Sequence, residues 1–316
     1  MAMKGQTQVP EYFLDDSVIQ PFWDNSIEPR LEIESGDVVV FDCQEPNGQV
    51  QPDWTVAEYD RVDRSRVHAL NGSVWIKGAE PGDALEIDIL DLQHKGWGWS
   101  AHRSGIGLLS EDFDYSYFHQ WRIDGETITS TELDHISLPY EPHTGVVGVA
   151  PRESGRFSTF PPRANGGNLD VRDMTIGSTI WLPVLVDGAL FATGDCHAAQ
   201  GQGEVCVTGI EAPMVVTMRF RLLKGANLPE VQLRRPSPMS KLDSQGYHIT
   251  TAHGPDLMEN AKNSVRYMID WLVSNQRMNR SQAYILCSVA GDLKISSIVA
   301  APNWVVSFHM PLAVFA

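Results

Sequence analysis

The sequence predicts an α+β protein that is mainly β, with a late helical hairpin. Three observations carry this reading. Short apolar runs of strand length recur between clusters of Gly, Pro, Asp and Asn. One run alternates apolar and acidic residues with period two. Helical periodicity is concentrated in residues 255–290.

The elements follow in order. Residues 37–42 form the first apolar run. Residues 73–77 form the next and lead into the turn Pro81-Gly82-Asp83. Residues 84–91 alternate apolar with acidic side chains, which marks a half-buried strand. Residues 145–149, 178–182, 204–210 and 214–220 continue the series, the last two reading as return strands after a glycine turn. Leu257, Ala261, Val265, Met268 and Leu272 are spaced by four, four, three and four, one face of a helix over 255–272 with Pro255 in its first turn. A second helix, 280–290, is expected to start at an Ser281 cap and stop at Gly291. Residues 303–311 read as a final strand covering an edge of this chain or of a neighbour. The chain reads as one unit over 1–316, open to division into two intertwined β lobes with a C-terminal α+β part from about 225 to 316.

Composition excludes several functions. The net charge is −16, so no basic surplus exists for a nucleic-acid backbone or an anionic membrane surface. No run approaches the ~20 apolar residues that span a bilayer, and residues 1–9 lack an apolar signal core. Cys43, Cys196, Cys206 and Cys287 are widely spaced and read as reduced thiols. A cytoplasmic protein is expected, and exposed sheet edges make a homo-oligomer the expected assembly.

The chemistry concentrates in residues 193–204, TGDCHAAQGQGE. On an extended strand Asp195 and His197 share one face and Cys196 takes the other. Gly201 and Gly203 then allow a reversal that returns Glu204 toward the same point. Two carboxylates and an imidazole suit a divalent metal. Spacing leaves open which of Asp195 and Glu204 binds metal and which moves protons.

Several further segments stand in a consistent order: GSVWIKGAEPGD at 72–83, GWGW at 96–99, GIGLL at 105–109, GVVGVAP at 145–151, NGGNLD at 165–170, LPV at 182–184 with GALF at 188–191, and DCHAAQGQGE at 195–204. The ordered set, spanning roughly residues 66–311, resembles the acetamidase/formamidase family. The resemblance implies a metal-dependent amidohydrolase that converts small aliphatic amides to ammonia and a carboxylic acid. It implies a mixed, mostly β fold with sandwich- and barrel-like β parts, and zinc as cofactor, with calcium the other candidate. The family usually has Gly where Cys196 stands and Asp where Gln202 stands, and segments 100–105 and 141–144 also depart from it. Those departures leave the acyl group of the substrate open.

Amide hydrolysis needs a polarised carbonyl, a nucleophilic water and a proton for the leaving nitrogen. Asp195, His197 and Glu204 are the expected metal and water site. Asp170 is expected as a further ligand or as a carboxylate orienting His197, and His68 as a ligand from the opposite wall. Glu141, at a strand end, is expected to shuttle the proton. Asn168, Trp97 and Trp99 are the expected substrate contacts, the two indoles forming a wall or lid on a loop. His102 and Arg103 would extend that wall and favour a polar or anionic tail. Cys196 reads as a small buried thiol, since His197 faces away from it. Two other readings stay open: a metal hydrolase of a different carbon–nitrogen bond, and a non-catalytic protein holding calcium or another ligand.

Overall fold

The computed structural model describes residues 11–235, 240–297, 302 and 304–315, with only the backbone of residues 296, 297, 304 and 305. The polar stretch 1–9 and Asn303 lie outside the described residues.

Two open sheets face each other. The larger runs Glu11–Leu14, Val38–Cys43, Met214–Leu223, Ala84–His94, Thr179–Pro183, Gln232–Arg234. The other runs Gly166–Asn168, His143–Gly148, Phe191–His197, Asn71–Ile76, Leu31–Ile33. Among the described residues no sheet closes on itself, so the β architecture is a sandwich and not a barrel. The alternation in Ala84–His94 explains its place. Leu85, Ile87 and Ile89 are fully buried, while Glu86 and Asp88 meet Arg221 of the adjacent strand at 2.5 and 2.8 Å.

Phe41 and Phe220 of the larger sheet meet Phe191 of the facing sheet, with ring centroids 5.8 and 4.9 Å from it. All three rings are fully buried. Phe191→Ala is therefore expected to cost about 3–5 kcal/mol of stability, read as a lower midpoint in urea denaturation at unchanged slope.

A third sheet, Ser137–Pro139, Thr127–Thr129, Tyr117–Asp124, Trp97–His102, carries one wall of the site. Trp97 and Trp99 thus lie on a strand rather than a loop, opposite Arg122 and Gln120. The C-terminal part has a sheet ordered Tyr247–Gly254, Trp304–Pro311, Asp292–Ser297, with a long helix packed on it. The strand Trp304–Pro311 is central there, not an edge cover. Strand Gln232–Arg234 pairs with Thr179–Pro183 and so extends the larger sheet.

The first helix is Leu257–Asn275. Asp256 caps it by accepting the Met258 and Glu259 amides, so Pro255 lies before the cap. Ala261, Val265, Met268 and Leu272 are buried, as their spacing predicts. The second helix is Arg280–Ala290, and its cap is Asn279, which forms a reciprocal box with Gln282. Ser281 lies inside the first turn and bonds His102 instead. No helix is long and apolar enough to cross a membrane among the described residues.

Candidate active site

Strand Phe191–His197 is the axis of the site. It pairs with His143–Gly148, but the register skips Gly145 and Asp195 between Thr144↔Cys196 and Val146↔Gly194. Asp195 has φ 53°, so it is not extended as the strand reading expects. Asp170 and Glu204, at φ 47° and 43°, are also in the left-handed region. Such conformations cost about 1–3 kcal/mol each and gather where side chains must be aimed. They aim three carboxylates at one point.

The reversal after the strand is also built differently from the expectation. Gly203 has φ 105°, whereas Gly201 is needed because any Cβ would land on the Gly291 carbonyl. The Gly201 amide donates to Ser288 and the Gln202 amide to Asp292, at 2.7 and 3.1 Å. Arg172 holds Asp292 in turn, at 2.7 Å. Residues 204–210 form turns and not a strand, because Glu204 and Val207 are both left-handed. Glu204 is nonetheless brought back, its Oε1 4.0 Å from His197 Nε2.

His197 is the hub. Its Nδ1 donates to Gln200 Oε1 at 2.6 Å, and its Nε2 lies 3.0 Å from Glu211 Oε2 and 3.6 Å from Asp195 Oδ1. His68 Nε2 approaches Asp195 Oδ2 from the other side, at 3.6 Å. Its Nδ1 is anchored beside the Thr159 hydroxyl, and its ring stacks on Phe160. His143 Nε2 shares Gln200 Oε1 with His197, at 3.1 Å, and Gln200 Nε2 donates to the Asp170 carbonyl. The amide of Gln200 therefore fixes the proton on His197 Nδ1 and turns Nε2 toward the acids.

Four carboxylates crowd this buried point, and their charges decide its electrostatics. Burial, reinforced by Asp195, pushes Asp170 up to about 7. Burial pushes Glu211 up to about 8 although His197 opposes it. Burial and the Asp170 charge raise Glu204 well above the ordinary carboxyl range. Asp195 alone is lowered: burial opposes its charge, and the His68 and His197 imidazoles outweigh it. Burial likewise opposes charge on His197, yet Glu211 and Asp195 hold it well above its usual value. Burial keeps His68 and His143 low. Asp170 Oδ1 and Asn168 Oδ1 are buried without a hydrogen-bond partner among the described residues. Ligand atoms of Asp170, Asp195 and His197 lie within 4.8 Å of one another, as do those of His197, Glu204 and Glu211. This donor set, with its excess of carboxylate, fits a divalent cation.

A cavity of about 330 Å³ opens above the acids. Tyr59, Trp99, Ile106, Phe160 and Val207 supply apolar walls, and Asn168, Asp170, Asp195, Glu204 and Glu211 line its polar side.

The structure brings together His68, Asn168, Asp170, Asp195, His197, Glu204 and Trp99 from the residues singled out in the sequence. It separates others. Trp97 packs half-buried beside the Trp99–Tyr59–Phe118 cluster, away from the cavity. Glu141 accepts from the Ser240 hydroxyl and the Lys241 amide, at 2.6 and 2.5 Å, and so caps a short 3-10 turn outside the cavity lining. His102 turns from the cavity into a ring cluster of Phe113, Tyr115, Tyr117 and Tyr284, where burial pushes it down to about 4. Cys196 is buried beside Cys43, and that contact together with burial raises its thiol far from the nucleophilic range.

Glu211, His143 and Gln200 complete the site and are not among the sequence candidates. Glu211 had a signal: it is the single acid in the apolar run Ile210-Glu211-Ala212-Pro213-Met214. Its placement depends on Gly98, where a Cβ would stand 2.8 Å from Ile210 Cγ2 and 2.9 Å from the Glu211 carbonyl. Gln200 and His143 matter through each other and through His197, a relation that spacing does not encode.

A recessed cluster of acids around an oriented imidazole, beside a cavity lined in part by aromatic rings, is the candidate site. The acetamidase/formamidase family pattern matches residues 12–158 and 153–316. A putative formamidase of Schizosaccharomyces pombe is 26% identical, over 93% of this chain and 88% of the relative. The fold is similar to that of a γ-lactamase from Delftia acidovorans, with a TM-score of 0.90 at 24% identity, over 97% of this chain and 93% of the other. An acetamidase from Bacillus halodurans is similar at 30% identity and a TM-score of 0.64, over 95% and 97% of the two chains. The chain belongs to the acetamidase/formamidase family, and it is a hydrolase of amide carbon–nitrogen bonds.

Proposed function

We propose that the protein hydrolyses primary amides to ammonia and a carboxylic acid with the help of one divalent cation held at His197. The observation that carries this reading is the meeting of two donor sets, Asp170–Asp195 and Glu204–Glu211, at that one imidazole. Asp170, Asp195, His197, Glu204 and Glu211 would hold the ion, and imidazole with carboxylates suits zinc, with calcium the alternative for an all-oxygen subset. When bound, such an ion supplies a Lewis acid for the amide carbonyl and lowers the pKa of water.

The chain's own groups do the rest. Gln200 keeps the His197 proton on Nδ1 and leaves Nε2 directed at the acids. Asn168, whose Oδ1 has no partner among the described residues, is placed to accept from the amide nitrogen of a substrate. Glu204 lines the cavity, and the carboxylate oxygen it does not give to the ion is the group suited to take the proton of the attacking water and hand it to the leaving nitrogen. That role falls to Glu204 and not to Glu141, whose carboxylate is engaged elsewhere. Trp99, Tyr59 and Phe160 exclude bulk water, which strengthens every charge interaction below them.

The test is ammonia release from formamide, acetamide and propionamide by protein supplied with zinc or calcium. Steady ammonia production that requires one of these ions is expected. Absence of ammonia from every amide, at full ion occupancy, would overturn the reading.

A further inference from the structure

We propose that the preferred substrate is a primary amide whose far end is an anion, selected by Arg64 and Arg103 at the rim of the cavity; this rests on the amidase reading above. Both arginines line the cavity, together with Tyr59 and Trp99. A space of about 330 Å³ is far more than formamide or acetamide fills, and its walls are aromatic and aliphatic. The substrate body that fits is therefore a ring or a short hydrocarbon chain.

Arg64 carries no ion pair among the described residues, and Arg103 carries only a long one. Arg103 lies over the Tyr59 ring, its Cζ 5.3 Å from the centroid, and its nearest carboxylate, Asp60, is 3.9 Å away, beyond hydrogen-bond reach. That Asp60 oxygen already accepts from the Ser116 hydroxyl at 2.7 Å. Arg64 opens a 3-10 turn whose cap, Asp63, is bonded to the amide and hydroxyl of Ser65. Arg64 is exposed and lines the cavity. Two planar, permanently charged forks beside an aromatic wall are the groups that recognise a carboxylate bidentately.

The charge layout also fixes orientation. Asp195 and Glu211 are buried, whereas Arg64 is exposed and Arg103 partly so, which sets the arginines outward of the acids, and an amide with an anionic tail enters amide first. The chain as a whole carries a net charge of −16, which repels anions except where the local field is reversed. The chemical class is the half-amide of a dicarboxylic acid. For 4-carbamoylbenzoate, water adds to the carbonyl, the carbon–nitrogen bond breaks, and terephthalate and ammonium leave.

The experiment compares kcat/KM for 4-carbamoylbenzoate and benzamide in the wild type, in Arg64→Gln/Arg103→Gln and in Arg64→Lys/Arg103→Lys. The wild type is expected to prefer the anion by about tenfold to a hundredfold, the scale of one or two charge-assisted contacts. The preference should vanish in the Gln pair, mainly through KM, survive in part in the Lys pair, and shrink as salt is added. Equal efficiency for both substrates in the wild type, or a preference that persists in the Gln pair, overturns the proposal. If no amide is hydrolysed, the amidase reading fails separately, and terephthalate binding by calorimetry decides the anion site. Binding at least about tenfold tighter to wild type than to the Gln pair supports it; equal or absent binding overturns it.

Discussion

His197→Ala is expected to lower kcat for amide hydrolysis by a factor on the order of 10³ or more, and to abolish the divalent-ion binding proposed above. The expectation follows from position. His197 is the one residue common to both donor sets, and its removal leaves Asp195, Glu204 and Glu211 facing one another without the group that separates their charges. Like charges at such distances in a buried place cannot all be ionised, so the acids take up protons and lose their affinity for a cation. Ammonia release and elemental analysis of the same preparation read the two effects. A variant that keeps full activity without bound metal would contradict the assignment, whatever its stability.

The second large effect is expected at a residue with no side chain. Gly145 lies opposite Asp195 where the strand pairing is interrupted. A Cβ there would stand 2.6 Å from Asp170 Oδ1, 2.7 Å from the Asp195 carbonyl and 3.0 Å from Asp195 Oδ2. One of these neighbours is backbone, so relief requires moving the strand itself. Both left-handed acids would be displaced together. A misplacement near 1 Å at reacting groups costs about a hundredfold, so Gly145→Ala is expected to lose about that factor in kcat/KM while its far-ultraviolet circular dichroism stays native. Wild-type kcat/KM in Gly145→Ala would show that the spacing of Asp170 and Asp195 is not tied to catalysis.

Gly145 also illustrates what a single sequence discloses. The apolar run after it was legible as a strand, and the glycine as its start, but its function is to leave room for two carboxylates remote in sequence. The mainly β character and the helical hairpin were legible for a simple reason. Strand alternation and helical spacing are local signals, and Leu85, Ile87, Val265 and Met268 are buried where their periods place them. The core of the site was legible because Asp195, His197 and Glu204 come from one short segment. The local geometry was not, since Asp195 reaches His197 through a left-handed kink and not through strand alternation. Glu211 requires Gly98 to admit it, and Gln200 acts only through His143 and His197. Glu141 shows the converse: a strand-end acid resembles a proton shuttle until Ser240 and the Lys241 amide are found to occupy it.

The central claim is that one cation belongs where these acids meet His197. Calorimetric titration of zinc into chelator-treated wild type and Asp170→Asn/Glu204→Gln tests it most directly. The account predicts one ion per chain in the wild type, with affinity reduced by about a hundredfold or more in the double variant. Equal binding by the two proteins, or no saturable binding by the wild type, would contradict it.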